Sequence, residues 1–103
     1  MKKLKKGWVE GGVQDFLNLS SADMAYIETK LALSRRLRLE RETRNFTQTE
    51  LAHRLGTSQS RVAKMEKGDS SVSIDLLLQA MFHLGLTPRQ LARAFPPVQP
   101  THA

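Results

Sequence analysis

The sequence predicts an all-α fold of five helices, and three observations carry that prediction. The stretch from Ala22 to Arg44 contains neither glycine nor proline. FTQTEL and LTPRQL share one helix-start grammar, with a hydrophobe, a Thr cap, Glu or Gln at the third position and Leu at the fourth. Gly56, Gly68 and Gly85 each stand just past an apolar-periodic segment, where a helix commonly ends. No stretch reads as a strand, and no repeat of solenoid period is present.

At 103 residues, one domain is expected, since domains most often hold about 100–150 residues. Residues 1–20 read as an N-terminal extension, basic and partly flexible. It has the lysines of MKKLKK, a tail or a groove-binding arm, followed by Trp8, Val13, Phe16 and Leu17 without a clear period. These four apolar residues pack on the protein's own core or hold a partner. Residues 21–95 read as the helical domain, and residues 96–103, PPVQPTHA, as a disordered tail.

The first helix takes Ser21 as its cap, and Asp23 suits the positive end of its dipole. Leu33, Leu37 and Arg41 fall four apart on one face, and Tyr26 and Lys30 extend the same line. Arg35, Arg36, Arg38 and Arg44 read as an outer charged face balanced by Glu28, Glu40 and Glu42. In FTQTEL, Thr47 and Glu50 form a capping box flanked by the staple residues Phe46 and Leu51. Leu51, Ala52 and Leu55 make a short apolar face, and Gly56 ends the second helix.

The third helix starts at Thr57 or Ser58 and stops before Gly68. At 100° per residue, Val62, Met65 and Glu66 fall on one side, and Ser60, Ala63, Lys64 and Lys67 on the other. Ser73 caps a fourth helix, Ile74 to Leu84, with Ile74, Leu77, Leu78 and Met81 on one face. Thr87 caps a short fifth helix that has Pro88 at its first position and ends near Phe95.

Two helices joined by a glycine turn, the second with a polar outer face, form the helix-turn-helix signature. The unit runs over about residues 47–68. A helix that enters the major groove must keep bulky apolar groups off DNA and offer donors and acceptors to base edges. Ser60 and Ala63 meet the size condition, Gln59 matches adenine and Lys64 matches guanine. Gln48 opens the preceding helix, where free N–H groups favour a phosphate, and Lys67 is a further candidate for phosphate.

TQTELAHRLGTSQSRVAKMEKG resembles the XRE family, the helix-turn-helix domain of phage repressors and Cro proteins. TQ, LA, LG, SQ, V and ExG stand at the family spacing, and the likeness covers about Leu33 to Phe95. It implies a lambda-repressor-like five-helix fold with an N-terminal extension. It also implies a homodimer on double-stranded DNA, repressing a promoter, with its own as the expected target. By the same resemblance Gln48 contacts phosphate, Gln59, Ser60 and Lys64 read bases, and Arg61 binds base or phosphate. Arg41 and Glu66 pair as a structural ion pair. The stretch GGVQDFLNLSSADMAYIETKLAL further resembles HigA-like antitoxins, whose partners are RelE/HigB-type toxins.

Composition agrees with an anionic partner. The net charge is +6 and the pI about 10.2, which favours nucleic acid first and a membrane surface second. With no cysteine, disulfides, thiolate metal sites and a cysteine nucleophile are excluded, and a reducing cytoplasm fits. His53, His83 and His102 have no ligand spacing, so no metal and no cofactor is expected. No nucleophile-elbow signature supports an enzyme. No apolar run approaches the length of a membrane span, so the chain reads as soluble and cytoplasmic.

Overall fold

The computed structural model describes residues 19–97. Among them there are five helices and no strand: α1 Ser21–Thr43, α2 Gln48–Leu55, α3 Gln59–Lys67, α4 Ile74–His83 and α5 Pro88–Ala92. The expected all-α, five-helix architecture is what forms.

Helix starts follow local side-chain chemistry. The cap of α1 is Ser20 rather than Ser21. Its hydroxyl accepts from the Asp23 N–H at 3.0 Å, and its own N–H donates to the Asp23 carboxylate at 3.1 Å. Ser20 lies three residues before Asp23, the spacing that a reciprocal box requires, whereas Ser21 lies two before it. Thr47 with Glu50, and Thr87 with Gln90, close the same box as the sequence predicts. Ser58 and Ser73 cap α3 and α4.

The ends of α1 to α4 share one device. Asn45, Gly56, Gly68 and Gly85 all have positive φ. After each, the next residue's N–H reaches back to the carbonyl five residues earlier, as Thr57 does to Ala52 at 2.9 Å. Asn45 has φ 59°, a conformation Asn tolerates better than most side chains. Helix α5 stops at Ala92 and continues as a looser turn, with the Phe95 N–H donating to the Ala92 carbonyl at 3.3 Å. Pro96 disfavours a helical Phe95, which accounts for the early stop.

The core lies where α1 meets α3 and α4, and where α2 meets α3. Leu33, Leu37, Leu51, Val62, Leu77 and Met81 are fully buried. The expected α1 line holds from Lys30 onward but fails at Tyr26, which is 52% exposed. No α1 residue before Lys30 is buried, so the helix runs past the elements it packs on. Ser34 is also buried, with its hydroxyl unpartnered among the described residues.

The arginines of α1 are less uniform than a solvated face. Arg36 pairs with Glu40 at 2.7 Å and Arg38 with Glu42 at 3.0 Å. Glu28 joins no ion pair with a described residue. Arg44 reaches Glu40 and also donates to the Leu84 carbonyl at 3.1 Å, tying the end of α1 to the end of α4. A cation there satisfies a carbonyl that α4 leaves free.

Burial acts to raise the Glu40 carboxyl, but hydrogen bonds from Arg44 and Arg36 outweigh it and hold the group below its ordinary value. A carboxylate with a depressed folded pKa contributes stability above its unfolded pKa and loses it as pH falls through the folded one. The expected result is that Glu40→Gln flattens the loss of urea resistance between about pH 5 and pH 3. Equal slopes for variant and wild type in that window would show that Glu40 does not govern acid lability.

Candidate nucleic-acid interface

The interface is built on two glycine-ended helices. Gly56 closes α2 with φ 70°, and a Cβ there would meet nothing within 4 Å. Conformation, not space, therefore calls for glycine. Gly68 closes α3 with φ 69°, and a Cβ there would lie 2.9 Å from Leu31 Cδ2 and 3.3 Å from Ser34 Oγ. The end of α3 is pressed against α1. Alanine at either site is expected to cost about 1–2 kcal/mol for the left-handed backbone. Gly68→Ala should cost slightly more, because the Leu31 methyl must also turn away. Thermal melts of both variants check this, and a neutral Gly56→Ala would refute it.

Arg41 and Glu66 form a bidentate pair. Arg41 Nε donates to Glu66 Oε2 at 2.6 Å, and Nη2 donates to Oε1 at 3.1 Å. The third donor, Nη1, reaches the Phe46 carbonyl at 2.8 Å. The side chains are 13% and 4% exposed, so the pair sits out of water. The Glu66 hydrogen bonds raise Arg41 further above its ordinary value, against the effect of burial.

From this pair a chain of hydrogen bonds runs outward. Gln48 Nε2 donates to Glu66 Oε1 at 3.1 Å, and Gln59 Nε2 donates to Gln48 Oε1 at 2.7 Å. Gln48 and Gln59 are the first residues of α2 and α3, so the chain locks the two helices at their starts. In this arrangement Gln59 keeps one amide N–H and its carbonyl oxygen, the donor and acceptor that adenine N7 and N6 require. Gln48 keeps one N–H directed by neither Glu66 nor Gln59.

Gln59, Ser60, Lys64 and Lys67 are exposed and Ala63 half-buried. At 100° per residue these five occupy an arc of about 140° on α3. Val62 and Met65 point the other way and are buried. Arg61 lies outside the arc, about 200° from Gln59. It borders a depression of about 120 Å³ with Thr57 and Met65 on one side and Gln79 and His83 of α4 on the other. Trp8, Val13, Phe16 and Leu17 fall outside the described residues.

Two features of the site escape the sequence pattern. The bond between Gln48 and Gln59 joins residues eleven apart, and its only sequence signal is a glutamine at the start of each helix. Phe46 carries the Arg54 guanidinium 4.2 Å from its ring centroid. This cation–π contact follows from α2 bringing its seventh residue back over the residue that precedes its cap.

A capped helix, a left-handed glycine turn and a second helix with a polar outer arc define a helix-turn-helix protein. A family model described as a helix-turn-helix domain matches residues 32–94, and the chain belongs to that family. The family is a DNA-binding one and typically non-enzymatic. No curated protein and no solved structure matches the chain significantly. Among the described residues no His, Asp and Glu cluster is placed to hold a metal ion, and no helix is long and apolar enough to cross a membrane.

Proposed function

We propose that the chain is a sequence-specific transcriptional repressor. In this reading it binds an inverted-repeat operator as a homodimer and silences its own promoter by occupying it, without catalysis. The observation that carries the reading is the seated Gln59. A solvated surface glutamine has no need of an anchor, and this one is held through Gln48 to a buried ion pair. Gln59 and Lys64 read base edges, while Ser60 and Ala63 let α3 approach. Gln48 and Lys67 take phosphates, and Arg61, off the arc, takes the backbone rather than bases. A single α3 reads too few base pairs to be selective, and two related by a twofold axis read half-sites about 34–36 Å apart.

Selection of bound duplexes from a random pool tests this. An inverted repeat with that spacing should be enriched, and its affinity should fall linearly on a log–log plot against salt. Enrichment of no motif would overturn sequence-specific binding.

A second reading, neutralisation of a RelE/HigB-type toxin, draws support from the boundary of the family match. Residues 19–31 lie ahead of the matched domain, within the stretch that resembles HigA-like antitoxins, and they add turns to α1. Co-purification with the product of a neighbouring small basic reading frame, with and without residues 1–20, tests it. Absence of a complex would exclude that pair.

A further inference from the structure

The first turns of α1 expose what is elsewhere the core face of the helix. Tyr26 continues the line of Lys30, Leu33 and Leu37, yet it is 52% exposed, with Ile27 at 38% and Leu31 at 36%. With Lys30, Gly68 and Ser70 these residues line a groove of about 330 Å³ between α1 and the loop after α3. Most of this part of α1 precedes the matched domain, which begins at residue 32.

We infer that the groove is filled by the chain's own N-terminal segment, residues 8–17, seated through Trp8, Val13, Phe16 and Leu17. Three considerations select this occupant over others. The segment is the nearest unassigned apolar chain, since it joins α1 at its uncovered end. It is apolar where a solvated tail would not be, with Val9 adding to those four residues. It also reaches. Leu31 lies about 16 Å along the axis from Ser20 at 1.5 Å per residue. Extended chain covers about 3.3 Å per residue, so Val13 has up to about 23 Å available. Seating the segment removes Tyr26, Ile27 and Leu31 from water and completes the core line of α1, which lowers free energy through apolar burial.

Trp8 is the only tryptophan of the chain, so its fluorescence reports on the segment in the intact protein. The wild type should emit well to the blue of its urea-unfolded form, with acrylamide quenching severalfold weaker and independent of protein concentration. Ile27→Asp with Leu31→Asp should return emission and quenching to the unfolded values while far-UV circular dichroism stays helical. Tyr26→Asp, at a more exposed position, should do the same in part. A wild-type Trp8 as quenchable as in urea would overturn the inference without recourse to any variant. So would folded Asp variants that leave Trp8 protected. Protection that disappears on dilution would hand the groove to a second copy and equally overturn it.

Discussion

Glu66→Ala should lower the stability of the domain by about 3–5 kcal/mol, the cost of removing one partner from a buried ion pair. Domains of this size melt about 4–8 °C lower for each kcal/mol lost, so the midpoint should drop by at least about 12 °C. The reason is geometric. Arg41 is 13% exposed and turns two donors onto Glu66. Without the carboxylate, the guanidinium stays buried with the Phe46 carbonyl as its remaining hydrogen-bond partner and the half-exposed Glu42 carboxylate 4.0 Å away. Gln48 loses its acceptor in the same stroke. Replacing both partners gives the converse result. Arg41→Met with Glu66→Leu removes the charges together, and such exchanges are often neutral or stabilising. The double variant should therefore melt near the wild type, yet bind DNA more weakly because Gln48 and Gln59 have lost their anchor. Chemical denaturation of the three proteins decides. A Glu66→Ala chain within about 1 kcal/mol of the wild type would show a pair that is effectively solvated.

This buried pair also shows how far a sequence can be read. The helical wheel put Arg41 and Glu66 on inward faces, and it is there that the structure joins them. Caps were equally legible, because a box depends on residues three apart. Thr47 with Glu50 and Thr87 with Gln90 needed no tertiary knowledge. The misreadings at the cap of α1 and the stop of α5 are shifts of one to three residues, decided by Asp23 and Pro96. What a wheel omits is the axial coordinate. It gives the angle at which Tyr26 points but not where α3 and α4 end along α1. Tyr26 was therefore set in the core line although it stays 52% exposed. The same omission hid Arg44, whose bond to the Leu84 carbonyl joins residues forty apart. Within the site, residue types and the polar arc of α3 were legible. The coupling between them was not, since the Gln48–Gln59 bond depends on the angle at which the turn sets α2 against α3. Arg61 was left open between base and phosphate, and rotation about α3 sets it outside the polar arc.

Gln59→Ala combined with Lys64→Ala should abolish operator selectivity while leaving the fold intact. Each base contact carries roughly 1–3 kcal/mol of discrimination, so losing two weakens operator binding by about 30-fold to 10⁴-fold at 1.4 kcal/mol per decade. Both side chains are exposed, and thermal melting should scarcely move. Binding to unrelated DNA should fall little, and by as much as one cation contributes to the salt slope. The sharper test concerns Gln48. Were it a phosphate ligand alone, its loss would add to that of Gln59. Because it also holds Gln59 at 2.7 Å, Gln48→Ala should release Gln59 to sample other rotamers and remove part of the adenine contact as well. A double-mutant cycle over Gln48→Ala and Gln59→Ala should then show coupling of about 0.5–3 kcal/mol on the operator, the range for residues in one hydrogen-bond network. On unrelated duplex the coupling should vanish, since no adenine is being read. Additive losses on the operator would mean that the observed bond does not survive in the complex and that Gln59 is positioned by DNA alone.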